Sequence, residues 1–286
     1  MDKLIYLIAT GSLSEFAQEY EQLRASGVDV DQAFSVADHI LGESLQHTFF
    51  SLACRYGRLD ICKYLADKGL GSAAASQLKE GFPLVIAVLY GQFHVADWLQ
   101  EEFNIDCSIN DSVPLCESAF YSKTAGIKYS LEHGAEATAC KNFSVMETTS
   151  KGLLRATKEL VRYGADLHAD EEYGLRWASN SGHLKMVQYL VSKGADVHAR
   201  NDEALRNAVW KDHTEVAAFL LDHGANPNAK DGQGCVLQWM VEKNQTELVK
   251  KALDCGADLK MLPEDLRQKA YALLLEKVSK RGKSRL

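Results

Sequence analysis

Nine histidines and seven cysteines are the residues of this 286-residue chain that could ligate a metal or attack a substrate. A structural zinc site draws cysteines and histidines in close pairs, and a catalytic cysteine needs a base and an oxyanion-stabilising loop. The cysteines (Cys54, Cys62, Cys107, Cys116, Cys140, Cys235 and Cys255) are odd in number, and no two stand at Cys-x-x-Cys spacing. Free, mostly buried thiols are therefore expected rather than a zinc module or a disulfide framework. The sequence also lacks a GxxxxGK[ST] loop, a GxGxxG turn after a strand and an HExxH pair. No catalytic, metal or cofactor site is expected, and the protein reads as a non-enzyme.

The elements that would position these side chains follow from a repeat. Gly-Ala followed by an acid or Asn occurs at Gly134, Gly164, Gly194, Gly224 and Gly256, at intervals of 30, 30, 30 and 32 residues. Weaker relatives stand at Gly27-Val28-Asp29, Lys68-Gly69-Leu70 and Asn104-Ile105-Asp106, making about eight candidate units. Between Tyr173 and Gly194, the apolar residues Leu175, Trp177 and Ala178 suggest one short helical face. Gly182 interrupts it, and Leu184, Val187, Leu190 and Val191 suggest a second. Gly194 stands where a helix ends in a left-handed residue. Each unit reads as helix, turn, helix, loop, too small to bury its own apolar face, so neighbours must stack.

The 30-residue register accounts for six histidines in three columns: His168 with His198, His183 with His213, and His133 with His223. Side chains recurring once per repeat lie about one repeat apart. They read as helix-start and loop hydrogen-bonders, not as ligands of one ion.

Gly182 to Ala199 and His213 to Ala229 resemble the Gly-His-Leu-x-x-Val-x-x-Leu-Leu-x-x-Gly-Ala-Asp-Val-Asn-Ala pattern of the ankyrin repeat family. Phe82-Pro83-Leu84-Val85 and Val113-Pro114-Leu115-Cys116 partly keep that family's Thr-Pro-Leu-His helix start. The resemblance implies an all-α ankyrin-repeat solenoid over residues 1–262, divergent before 113 and regular over 113–258, followed by a C-terminal capping helix and basic tail over 263–286. The family repeat is typically about 33 residues. The shorter period here implies shortened fingers, a style similar to ankyrin arrays of giant viruses and host-associated bacteria. The insert from Val30 to Ser44 is expected to add a helix, and the finger from Gly71 to Gly81 is longer than the others.

In the family, the two residues before the inter-helix Gly face the concave groove. That register assigns partner contacts to Arg55, Tyr56, Leu89, Tyr90, Phe120, Tyr121, Lys151, Asn180, Trp210 and Lys211. Aromatics and Arg bury much area at low rotamer cost, so the groove is expected to centre on Tyr56, Tyr90, Phe120 and Tyr121. Trp177 and Trp239 are expected in the core. Arg176 and Arg206, replacing a family His, are expected to pair with Asp170-Glu171-Glu172 and Asp202-Glu203. Asn228 resembles sites where an asparaginyl hydroxylase modifies ankyrin arrays.

Residues 1–142 hold 10 Lys/Arg against 19 Asp/Glu, and 143–286 hold 22 against 20. An acidic body argues against a nucleic-acid groove. Apolar runs such as Phe82–Tyr90 and Ala270–Leu275 fall short of the roughly 20 residues that cross a bilayer, and the amino terminus does not read as a secretory signal. A soluble, cytoplasmic monomer with a protein partner is expected, or a host-directed effector if the source is an intracellular bacterium or giant virus. The end Ser284-Arg285-Leu286, behind a run of basic residues, permits a peroxisomal or PDZ-directed targeting adaptor, a lipid or import-receptor contact, or a solubilising tail.

Overall fold

The computed structural model describes the backbone of residues 2–30, 32, 34–37, 44–232 and 234–283, with side chains for 2–30, 32, 47–232 and 234–275. It is all-α, with eighteen helices and two short hairpins among the described residues. In chain order these are α1 (Asp2–Thr10), α2 (Leu13–Ala25), β1 (Phe34–Ala37), β2 (Ser44–His47), α3 (Phe49–Arg55), α4 (Leu59–Asp67), α5 (Ser72–Lys79), α6 (Phe82–Leu89) and α7 (Phe93–Phe103). There follow α8 (Ile109–Phe120), α9 (Thr124–Glu132), α10 (Ala139–Ser150), α11 (Leu154–Arg162), α12 (Ala169–Asn180), α13 (Leu184–Ser192), α14 (Ala199–Trp210) and α15 (Thr214–Asp222). The chain ends with β3 (Lys230–Asp231), β4 (Gly234–Cys235), α16 (Val236–Glu242), α17 (Thr246–Asp254) and α18 (Glu264–Lys283). Setting α5 and α18 aside, the sixteen other helices follow one another two by two, matching the expected repeats in number, and seven of these couples pack directly: α1 on α2, α3 on α4, α6 on α7, α8 on α9, α12 on α13, α14 on α15 and α16 on α17.

Two compact units divide the chain: residues 1–144 with 158–165, and residues 145–157 with 166–286. In the first, α3 packs against α6 and α6 against α8. In the second, α12, α14 and α16 pack in succession, backed by α13, α15 and α17, and α18 packs on α16 and α17. The core is the shared apolar column, Leu84, Leu115 and Ile127 in the first unit and Leu175, Leu205, Leu220 and Leu237 in the second.

The Gly-Ala-acid signature has a local physical basis. After α13 the chain turns at Gly194, the Ala195 amide donates to the Leu190 carbonyl at 3.1 Å, and Asp196 Oδ1 accepts from the His198 amide at 2.8 Å. The same acid-to-amide turn recurs at Asp106, Asp166, Asn226 and Asp258. The signatures at Gly164, Gly194, Gly224 and Gly256 therefore each close one helix and cap the turn that follows.

The short fingers are single left-handed turns. Asn110 to Ser112, Cys140 to Asn142, Asp170 to Glu172 and Arg200 to Asp202 each place three successive residues at positive φ, for example 50°, 59° and 54° at 200–202. A non-glycine residue there costs about 1–2 kcal/mol, least for Asn and Asp. An arginine six residues downstream braces two of these turns. Arg176 donates to the carbonyls of Asp170 (2.8 Å) and Glu171 (3.0 Å), and Arg206 donates to those of Arg200 and Asn201 (both 3.1 Å). Where the interval lengthens to 32, the finger is instead a hairpin, with Lys230 opposite Cys235 and Asp231 opposite Gly234.

Two inserts differ from simple repeats. The stretch expected to add a helix holds an antiparallel hairpin, with Phe34 opposite His47 and Ala37 opposite Ser44. Phe34-Ser-Val-Ala and Ser44-Leu-Gln-His mix apolar and polar residues at near-alternate positions, the period of a strand rather than a helix. The long Gly71–Gly81 finger forms α5, which packs on α3 and α6. That neighbour suits α6, whose sequence Phe-Pro-Leu-Val-Ile-Ala-Val-Leu is apolar on every side and buried from Pro83 to Leu89.

Candidate functional site

The residues with the richest chemistry are tied into the framework. His213 Nε2 donates to the Asn180 carbonyl and His94 Nε2 to that of Gly57, both at 3.0 Å. His133 and His223 turn Nδ1 back onto the carbonyls of Tyr129 and Phe219, each at 2.8 Å. His168 and His198 pair with the buried carboxylates Glu172 (2.7 Å) and Asp202 (3.1 Å). Those carboxylates accept in turn from the backbone amides of Asp196 (3.2 Å) and Asn226 (2.7 Å) in the following repeat. Among the described residues, no three His, Cys, Asp or Glu side chains are grouped to hold a metal ion.

All seven cysteines are free. Cys54 and Cys62 face each other at 3.7 Å, and the sulfurs of Cys116 and Cys140 share the Asp111 carbonyl at 3.9 and 3.7 Å. Burial holds the Cys54 thiol far above its ordinary range, with Cys62 adding to the effect. Burial also pushes Cys107 up to about 12, while desolvation, Cys116 and Asp111 push Cys140 to the same value. Nucleophilic cysteines need the opposite shift.

A pH dependence follows for Cys107. Its folded-state value lies above the ordinary 9.0, so its contribution to stability is complete below pH 9 and falls away as pH rises toward 12. Between these limits the loss is at most about 1.4 kcal/mol per pH unit. Urea unfolding at pH 8, 9.5 and 10.5 should show a steeper alkaline decline for wild type than for Cys107→Ala. Equal declines would exclude the burial effect.

The residues assigned to partner contact separate by burial. In the first unit Tyr56 is 42% exposed and Phe120 50%, with Tyr90 and Tyr121 half-buried. Phe120 and Tyr121 meet edge-on at 4.9 Å. Leu89, only 4% exposed, belongs to the core because every side of α6 is covered. Arg55, 7% exposed, lies beneath the aromatics, its guanidinium 4.8 Å from the Tyr90 ring centre and 5.7 Å from that of Tyr56. These two expectations are corrected: Leu89 and Arg55 support the surface from below.

In the second unit Trp210 is 49% exposed, Lys211 is exposed, and Asn180 and Lys151 are half-buried, with Lys151 paired to Glu147 at 2.7 Å. Trp177, expected in the core, is 41% exposed. At 100° per residue it points about 200° away from buried Leu175. Trp239 is buried as expected, with the Trp210 ring 5.3 Å away at 67°. Arg206, Asn207, Trp210, Asp231 and Trp239 line a cavity of about 210 Å³. Trp177 and half-buried Asn207 were missed as surface residues because the register they share with buried Trp239 points to the core; only the helical angle from Leu175 could have marked Trp177. Arg206 reaches Asp231 at 2.6 Å rather than the expected Asp202 or Glu203, while Arg176 does pair with Asp170 (3.3 Å) and Glu203 (3.2 Å). Asn228 is bound on both sides, donating to the Gly256 carbonyl and accepting from the Asp258 amide. Ser284, Arg285 and Leu286 lie outside the described residues.

Paired helices with a shared apolar core and aromatics left at the surface define a helical repeat module. A family model described as ankyrin repeats matches residues 145–231 in three copies. Residues 145–231 thus carry ankyrin repeats, and the all-α helix pairs on either side of them are consistent with further units of the same kind. No curated protein matches it. No helix among the described residues is long and apolar enough to cross a membrane.

Proposed function

We propose that this protein is a non-enzymatic adaptor or sequestering module that docks a segment of another protein on the exposed aromatics of its inner helices. One observation carries this reading. Tyr56, Phe120, Trp177 and Trp210 stay 41–50% exposed at or just past the ends of α3, α8, α12 and α14, or on their outer faces, while the apolar columns beside them are buried. Large aromatics at a surface anchor partners by burying area at low rotamer cost. The mechanism is competition or tethering, with no covalent step. In a host-associated source, the same docking in the cytoplasm would make the protein an effector acting on a host protein.

The test is site-specific photo-crosslinking in extracts of the native source. A benzophenone side chain at 56 and at 120, in the first unit, or at 177 and at 210, in the second, should capture a common partner within that unit, while the same group at the exposed Tyr163 or Tyr271 should not. Capture only from 163 or 271 would overturn the assignment.

A further inference from the structure

We propose that the inner-helix face of the second unit binds an extended, proline-rich segment in the polyproline II conformation, with an acidic residue beside its prolines. This rests on the docking role above and narrows it to one ligand chemistry.

The face offers aromatic walls. Trp177 and Trp210 are exposed, and Trp210 stands steeply against Trp239 over the 210 Å³ cavity that Arg206, Asn207 and Asp231 complete. Polyproline segments dock on aromatic-lined grooves because their conformation is already set and their rings are flat and apolar.

The face is also rich in hydrogen-bond donors. The indole N–H groups of Trp177 and Trp210 meet no acceptor among the described residues, and indole donates without accepting. Asn207 engages one amide proton in a long 3.4 Å contact with the Arg176 carbonyl, leaving the other. A polyproline II segment is the complement: its backbone carbonyls are all unpaired, and its prolines carry no N–H. A helical ligand has its carbonyls already satisfied, so it offers these donors little.

The spacing agrees. Trp177, Asn207 and Trp239 share one register on α12, α14 and α16, which pack in succession. Packed helices lie about 8–10 Å apart, and one polyproline II turn of three residues rises about 9.3 Å. Successive turns of the ligand are therefore set to meet exposed Trp177 on α12 and half-buried Asn207 on α14, while Trp239 on α16 lies beneath the surface, 5% exposed. Lys211, exposed beside Trp210 and without a counterion among the described residues, supplies the charge that an acidic ligand residue complements.

The test uses the full chain and fluorescein-labelled peptides read by anisotropy: nine prolines followed by two aspartates, the same prolines followed by two lysines, and Gly-Ser and Ala-rich helical peptides each ending in two aspartates. The proline–aspartate peptide should bind at least tenfold more tightly than the other three. Trp210→Ala and Trp177→Ala should each weaken it at least tenfold, Lys211→Glu should reverse the aspartate–lysine preference, and Phe120→Ala should change nothing. Equal binding of the Gly-Ser peptide, or full binding by both tryptophan variants with unchanged urea midpoints, would overturn the proposal. Tighter binding of the helical peptide would overturn the polyproline assignment alone, because the docking role is read independently by crosslinking.

Discussion

Replacing Asp202 by alanine is expected to destabilise the second unit by about 2–4 kcal/mol, read as a lower urea midpoint and faster exchange of the Asn226 amide proton. Asp202 does two things at once. It ends a left-handed turn at φ 54°, a conformation Asp tolerates better than most residues, and its buried carboxylate accepts from the Asn226 amide at 2.7 Å. Alanine would keep the strained backbone and orphan a buried donor, which alone costs about 1–3 kcal/mol. The His198 pairing contributes less, because that ring is largely exposed. His198→Ala should therefore cost under about 1 kcal/mol. Asp202→Asn, which keeps an acceptor and the turn preference, should retain most of the stability. If Asn proves as damaging as Ala, charge rather than backbone capping holds the finger.

The same finger marks where the sequence was legible and where it was not. The Gly-Ala-acid period could be read because one residue must turn left-handed and another must cap an amide two positions on, and few residue types do either. The 32-residue interval was visible as well, but the hairpin that takes up its two extra residues, β3–β4, was not read from it. The turns themselves were illegible. Three consecutive non-glycine residues at positive φ run against the usual local preferences, and they are held by partners outside the turn: an amide 24 positions on that the buried carboxylate accepts from, and an arginine six positions on. Surface assignment failed for a related reason. Family register placed Leu89 and Arg55 outward, but α6 is buried on every side and the Tyr56 and Tyr90 rings lie against Arg55. Trp177 was misread because it shares a repeat column with Trp239, which is buried, whereas the helical angle from Leu175 carries Trp177 to the surface.

Gly182→Ala is expected to cost about 2–3 kcal/mol, clearly more than Gly194→Ala, at about 1 kcal/mol. Both glycines sit at positive φ, 75° and 92°, so both substitutions carry the left-handed penalty. They differ in what a methyl group would meet. At 194 the space is open, whereas at 182 a Cβ would lie 2.5 Å from Nδ1 and 2.9 Å from Cγ of the His213 ring. That ring is fixed by its donation to the Asn180 carbonyl, so relieving the clash means breaking the bond that ties one repeat to the next. Gly152 and His183 repeat the arrangement one repeat earlier. The excess at 182 is thus an inter-repeat term, and a double-mutant cycle isolates it. With His213→Ala the clash disappears, and Gly182→Ala should fall to the cost seen at 194, a coupling of at least about 1 kcal/mol. Strict additivity, or equal costs at 182 and 194 in the wild-type background, would show that the histidine yields freely and that the repeats are held by their apolar columns alone.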